Sequence, residues 1–233
     1  MLLLRRLPSR RVELLISLLL LLGCLALAGF LRDPYVNDAA TLLILIILEV
    51  ILPIGIGLLS AGLLAGDPAL DLLLSAHRPA WQVLLERLLF LGAIGALFGS
   101  AALVAAERWA LPLPKEGSAR LYIWLSPVVF YMGLSSAVSL LRGRMQDGVL
   151  AVLGSMGVSV MLMSQIPRLC EGNLPGMPCI GWLASPMMTL GNPGDAYWPL
   201  NRLLWLGLGL ALLALSLRLA QREEALLHEV SNE

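Results

Sequence analysis

Along this chain polar residues are the exceptions, and they gather into clusters that cut the apolar positions into six runs. The runs cover residues 12–31, 39–65, 88–107, 121–141, 149–166 and 203–219. Each is close to the ~20 residues that a helix needs to cross ~30 Å of hydrocarbon. A helix also satisfies its own backbone where no water is present to do so. The pattern therefore predicts an all-α, polytopic membrane protein with six transmembrane helices in a single domain spanning residues 1–233.

Composition agrees with the pattern. Hydrophobic residues make up 58% of the chain and charged residues only 14%, where a soluble domain has about 25% charged. Mean hydropathy is +0.84. The formal net charge is zero, and there is no basic tail or aromatic-basic surface, so nucleic acid is not expected as a partner. Membrane lipid is.

Lys and Arg fix the orientation. Placing the N-terminus inside puts Arg5, Arg6, Arg10, Arg11, Arg78, Arg87, Arg142, Arg144, Arg218 and Arg222 on the cytoplasmic side, against Arg32, Arg108, Lys115, Arg120, Arg168 and Arg202 outside. That bias predicts both termini in the cytoplasm. Residues 1–11 then form an interfacial lead-in, 66–87 a cytoplasmic segment, 167–202 an external loop and 220–233 a cytoplasmic tail. A basic start, an apolar core and Ala26-Leu27-Ala28 also imitate a cleavable signal. The apolar run is long for that purpose and continues past Cys24, so a retained first span is expected.

The second run carries a glutamate near its middle. Glu49, Pro53, Gly57 and Ser60 recur at helical spacing, and an ionisable residue at that depth must face protein or water. Two readings stand side by side: Glu49 is a pathway or gating residue, or it is a buried glutamate bonded to a neighbouring helix. In the fifth run Met156, Ser159 and Met163 share a face. Methionines alone, with neither His nor Cys beside them, fit an adaptable lining or packing surface better than a copper site. Gly92, Gly95 and Gly99 give the third run a small-residue stripe suited to close helix packing.

The external loop between the fifth and sixth runs contains Cys170 and Cys179 around a Gly- and Pro-rich turn. On an oxidising side these are expected to form a local disulfide. Residues 180–190 are too apolar for a free loop and too few to cross, which predicts a re-entrant or interfacial segment.

Several chemistries are missing. There is no G-x-x-x-x-G-K-[ST] loop to hold ATP phosphates and no metal-ligand spacing. His77 and His228 both lie outside the apolar runs, so the serines of "GLSSAVS" have no base within reach. The chain is not expected to be an enzyme, to bind a cofactor, or to hold a metal.

One segment stands apart. In residues 66–87, Asp67-Pro68 reads as an N-cap followed by proline at the first helical position. Leu70, Leu73, Leu74 and His77 then recur at helical spacing, and Pro79 starts a second helix carrying Trp81. Pattern alone gives either a short cytoplasmic helix offered to a partner or an interfacial elbow.

The stretch from Pro53 through "GLLSAGLLAGDPALDLLLSAHRPAWQVLLERLL" resembles the signature region of ABC-2 type transporter permeases. The matching pieces are Pro53, Gly66-Asp67, Asp71 through Ser75, Pro79 and Leu84 through Leu88. The shorter Asp67-Pro68-Ala69-Leu70 replaces that family's usual acidic-basic run and Gly-Thr. The resemblance implies that this segment is a coupling helix between spans two and three that docks on a separate ATP-binding subunit, with Asp67, Asp71, Leu74, Ser75, His77, Arg78 and Trp81 as docking residues. It implies ATP and Mg on that partner, a second permease copy or a paralogue, and an exporter of a small molecule, peptide or lipid in a bacterial-type plasma (inner) membrane. A non-transport scaffold or assembly factor is the alternative.

Overall fold

The computed structural model describes residues 37–63, 79–109, 113, 117–170, 183–186 and 196–230. Every long element among them is helical. Helix α1 spans Asn37–Ile46 and passes through a π-helical turn, Ile47–Ile51, into α2, Leu52–Ala61. Helix α3 spans Ala80–Arg108, α4 Ala119–Arg142, α5 Met145–Cys170 and α6 Trp198–Val230. Five stretches are long and apolar enough to cross a membrane: Ala40–Ala61, Ala80–Arg108, Ala119–Arg142, Met145–Leu162 and Trp198–Arg222. That is the architecture of a multi-pass helical membrane protein. The first expected span, residues 12–31, lies outside the described residues.

The π-turn has a local cause. Pro53 has no N–H to give to the carbonyl of Glu49, four residues back, and its ring crowds that carbonyl. The chain widens one turn ahead of it, so that the Leu52 N–H bonds the Ile47 carbonyl, five residues back. At the other end of the α4–α5 hairpin, Gly143 takes the left-handed conformation at φ 65° and sends its N–H back to the Ser139 carbonyl. Glycine accepts that geometry without a Cβ penalty, and α5 begins two residues later.

Helix α4 is the centre. In its spanning window 78% of residues are buried, against 17% in those of α5 and α6. It carries Ser126, Tyr131, Ser135, Ser136 and Ser139, all buried; Ser126 and Ser139 bond the carbonyls of Arg202 and Ser135, partners that lipid cannot supply. Direction follows from which residues meet. Ser126 bonds the Arg202 carbonyl at 2.7 Å, Phe130 stacks edge-on to Trp205, and Gly133 abuts Gly209, so α4 and α6 run the same way. Ser60 reaches the Met132 carbonyl and Gly57 lies against Tyr131, so α2 runs with them. Gly99 meets Trp124 while Gly95 meets Val128, and Gly148 meets Ser139 while Val152 lies at Tyr131 and Gly57, so α3 and α5 run oppositely. Strict alternation puts Leu63, Pro79, Gly143 and Arg222 at one end of the bundle. Arg108 and Arg120 lie at the other.

Two boundaries differ from expectation. The helix expected to start at Pro79 and the span expected from residue 88 are one continuous helix, Ala80–Arg108, with Pro79 as its N-cap in extended conformation. Trp81 therefore sits in the first turn of a long helix, half-buried against the core. The last helix begins at Trp198 rather than Leu203, which takes Arg202 out of the external loop and into the bundle.

Candidate intramembrane ion-pair site

Glu49 and Arg202 are both fully buried, with side-chain exposures of 0% and 1%, and the Arg202 Nη2 bonds the Glu49 Oε1. Each charge is placed by a proline-dependent feature of its helix. Glu49 sits in the π-turn that Pro53 enforces, and Arg202 in the second turn of α6, which Pro199 opens from its favoured first-turn position. The other arm of the guanidinium, Nη1, donates to the Pro186 carbonyl at 2.8 Å. Its carbon lies 5.5 Å from the centre of the Trp198 ring, a cation–π distance.

Around this pair, the short segment at residues 183–186 is tied to the first turns of α6. The Asn201 amide donates to the Ser185 carbonyl at 2.8 Å and reaches the Leu183 carbonyl at 3.4 Å. Trp205 Nε1 donates to the same Leu183 carbonyl at 3.1 Å. Ser185 and Pro186 are buried. A short 3₁₀ turn and the residues after it leave carbonyls without α-helical partners, and in an apolar bundle these need donors from side chains, which Asn201, Arg202 and Trp205 provide.

The expected second-span face is real. Glu49, Pro53, Gly57 and Ser60 are all buried, and Ser60 bonds the Gly57 carbonyl at 2.8 Å. Its partners are on α4 and α6. Glu49 is bonded to a neighbouring helix, α6, through Arg202. Ser159 is buried and bonds the Ser155 carbonyl at 2.8 Å, while Met156 is half-buried against Phe130, Tyr131 and Val152. The second-span and fifth-span candidates therefore converge on one residue that sequence reading passed over, Tyr131. Its hydroxyl faces Ser155 and Ser159 without completing a hydrogen bond of normal geometry. Met163 belongs to α5, but its side chain lies outside the described residues.

At the end of the bundle where α2 ends and α3 begins, a narrow crevice is lined by Ser60, Leu63, Leu84, Ser136 and Ser139. Beside it the Arg87 guanidinium donates to the Leu63 carbonyl. Arg87 rises from α3 and Leu63 lies just past the last turn of α2, so this bond ties together the two ends of the intervening segment. Of the expected docking residues, Trp81 is described. Asp67, Asp71, Leu74, Ser75, His77 and Arg78 lie outside the described residues, as does the Cys170–Cys179 pair, since only the backbone of Cys170 is described.

Of the stripe expected in the third span, Gly95 and Gly99 pack. A Cβ at Gly99 would fall 2.5 Å from the Trp124 ring, whereas Gly92 has nothing within 4 Å. Among the described residues no group of three or more His, Cys, Asp or Glu side chains is placed to hold a metal ion. No protein-family model, no curated protein and no solved structure matches this chain.

Proposed function

We propose that the chain is the membrane-spanning subunit of an ATP-driven transporter of the ABC-2 permease type, exporting a small molecule, peptide or lipid. A separate ATP-binding subunit would seat on residues 66–78, and a second permease copy or a paralogue would complete the path. The observation that carries this reading is the bond from Arg87 to the Leu63 carbonyl. A push on the segment between them is delivered to α2 and α3 together, and α2 is continuous with the π-turn that holds Glu49. A loop that served only as a connection would not need its base clamped by a charged side chain.

A second feature supports the same reading. Arg202 stands ~6 Å along α6 and Glu49 ~14 Å along the second span from Ala40 at 1.5 Å per residue. Because the helices run in the same direction and the two side chains touch, α6 starts ~8 Å deeper than that span. Residues 183–186, packed on its first turns, would then dip into the membrane from the outer face as a re-entrant segment. Both termini would be cytoplasmic and the Cys170–Cys179 turn external.

The test is purification of the tagged chain in mild detergent, with mass spectrometry of the proteins that accompany it. A stoichiometric ATP-binding subunit, lost on changing Asp71 and Arg78 to alanine, is the expected result. Trp81 is left intact because it packs on the core. Recovery without any ATP-binding subunit overturns the transporter reading and favours a scaffold or assembly factor.

A further inference from the structure

We propose that residues 183–186 form a strap closing the bundle at the end where α6 begins, and that the Glu49–Arg202 pair is the catch that holds it shut. The inference stands apart from the coupling of the chain to an ATPase, and its test contains none.

The grounds begin with the groups that Arg202 joins. One arm of its guanidinium reaches Glu49 in the π-turn and the other the Pro186 carbonyl, so a single side chain connects that π-turn, the last helix and the short segment 183–186. The planar fork of arginine can serve two acceptors at once in fixed geometry. Without Glu49 to hold one arm, the other has no reason to stay aimed at Pro186. Asn201 and Trp205 hold the strap at Ser185 and Leu183, but both belong to α6 itself. Arg202, by contrast, also bonds Glu49 in the segment that leads into α2.

The choice of an ion pair is informative. A buried pair is seldom the most stable solution: well-packed apolar side chains in the same space are commonly as good or better, while losing one partner is costly. An element with two discrete arrangements is where such a pair is useful. Here its rearrangement would free the side chain that joins the strap to the second span. The π-turn supplies the compliance, because its wide hydrogen-bond spacing leaves Glu49 on a segment that can return to α-helical pitch and so rotate.

The experiment places a reporter on the strap. Ser185 is fully buried, and Ser185→Cys changes little in volume. The full chain with S185C is reconstituted in liposomes and exposed to a membrane-impermeant maleimide, with labelling of the unmodified chain subtracted to account for Cys24, Cys170 and Cys179. Labelling is expected to be slow in this background and to accelerate about tenfold or more when Glu49→Leu and Arg202→Met are introduced together, a pair chosen to keep the core apolar and folded. Arg202→Lys gives a second reading that preserves charge against Glu49 but not the fork, and should also accelerate labelling. Monodisperse elution in detergent controls for folding. Rapid labelling of S185C without further change would overturn the strap. Equal rates with and without the Glu49–Arg202 substitutions would overturn the catch.

Discussion

Gly209 lies directly against the backbone of Phe130: a Cβ at position 209 would stand 2.6 Å from the Phe130 nitrogen and 2.7 Å from its Cα. The approach is reciprocal one turn further along, where a Cβ at Gly133 would come within 2.5 Å of the Gly209 carbonyl oxygen. Backbone cannot yield as a side chain can, so the α4–α6 contact depends on two missing methyl groups. In an apolar solvent, such close van der Waals packing is what holds helices together.

Gly209→Ala is therefore expected to destabilise the fold by about 1–3 kcal/mol, the cost of forcing atoms into a filled space. Alanine would gain a little helix propensity there, but the overlap outweighs it. Gly207→Ala, in the same helix with nothing within 4 Å, isolates the propensity contribution and should be neutral or slightly stabilising. Thermal denaturation in one detergent, read by circular dichroism, compares the two.

Removing one member of the ion pair should be far worse than removing both. Arg202→Met leaves Glu49 buried and uncompensated, at about 3–5 kcal/mol. Glu49→Leu together with Arg202→Met should recover most of that loss. A double-mutant cycle on unfolding midpoints measures it, and additive single effects would contradict the pairing.

Arg87→Ala should cost about 1.5–3 kcal/mol, as expected for a hydrogen bond made by a charged donor. Its effect should be local. Amide exchange should rise in the last turn of α2 and the first turns of α3, leaving the Glu49–Arg202 region protected. Mass-spectrometric hydrogen exchange resolves these peptides.

An exposed ion pair is expected to matter little. Arg120 and Glu107 join the facing ends of α4 and α3 at 2.6 Å, but the glutamate side chain is 59% exposed, and such pairs typically contribute under ~1 kcal/mol. Arg120→Ala should leave the melting midpoint close to that of the parent and reduce any salt dependence of stability.

Much of the helical frame is legible in the sequence because the lipid-spanning pattern is simple. The face of Glu49, Pro53, Gly57 and Ser60 can be read from spacing alone, and it is buried as a unit. Its partner cannot be read that way, because Arg202 stands among external charges and lies 153 residues away. A signal is nonetheless present. Trp198-Pro199 places a proline in a first helical turn, and starting the helix there carries Arg202 inside. Tyr131 is hidden for a different reason: one aromatic among many apolar residues has no periodic signature, and its role comes from three helices meeting at one point. Pro79 marks a true break, yet beyond it a single helix runs unbroken to Arg108, because residues 80–108 sustain apolar packing along their whole length.

The separation of Glu49 and Arg202 along the chain also has a consequence for biosynthesis. At ~5–20 residues per second, roughly 8–30 s pass between synthesis of the glutamate and of its counter-charge. For that interval the helix that carries Glu49 exists without the arginine of α6 that it bonds. A buried carboxyl without its counter-charge is costly, so the pair can close only once the last helix has been made. Assembly would then finish at the C-terminal end, and a chain whose synthesis stopped before Arg202 would carry an orphaned acid that quality control could recognise.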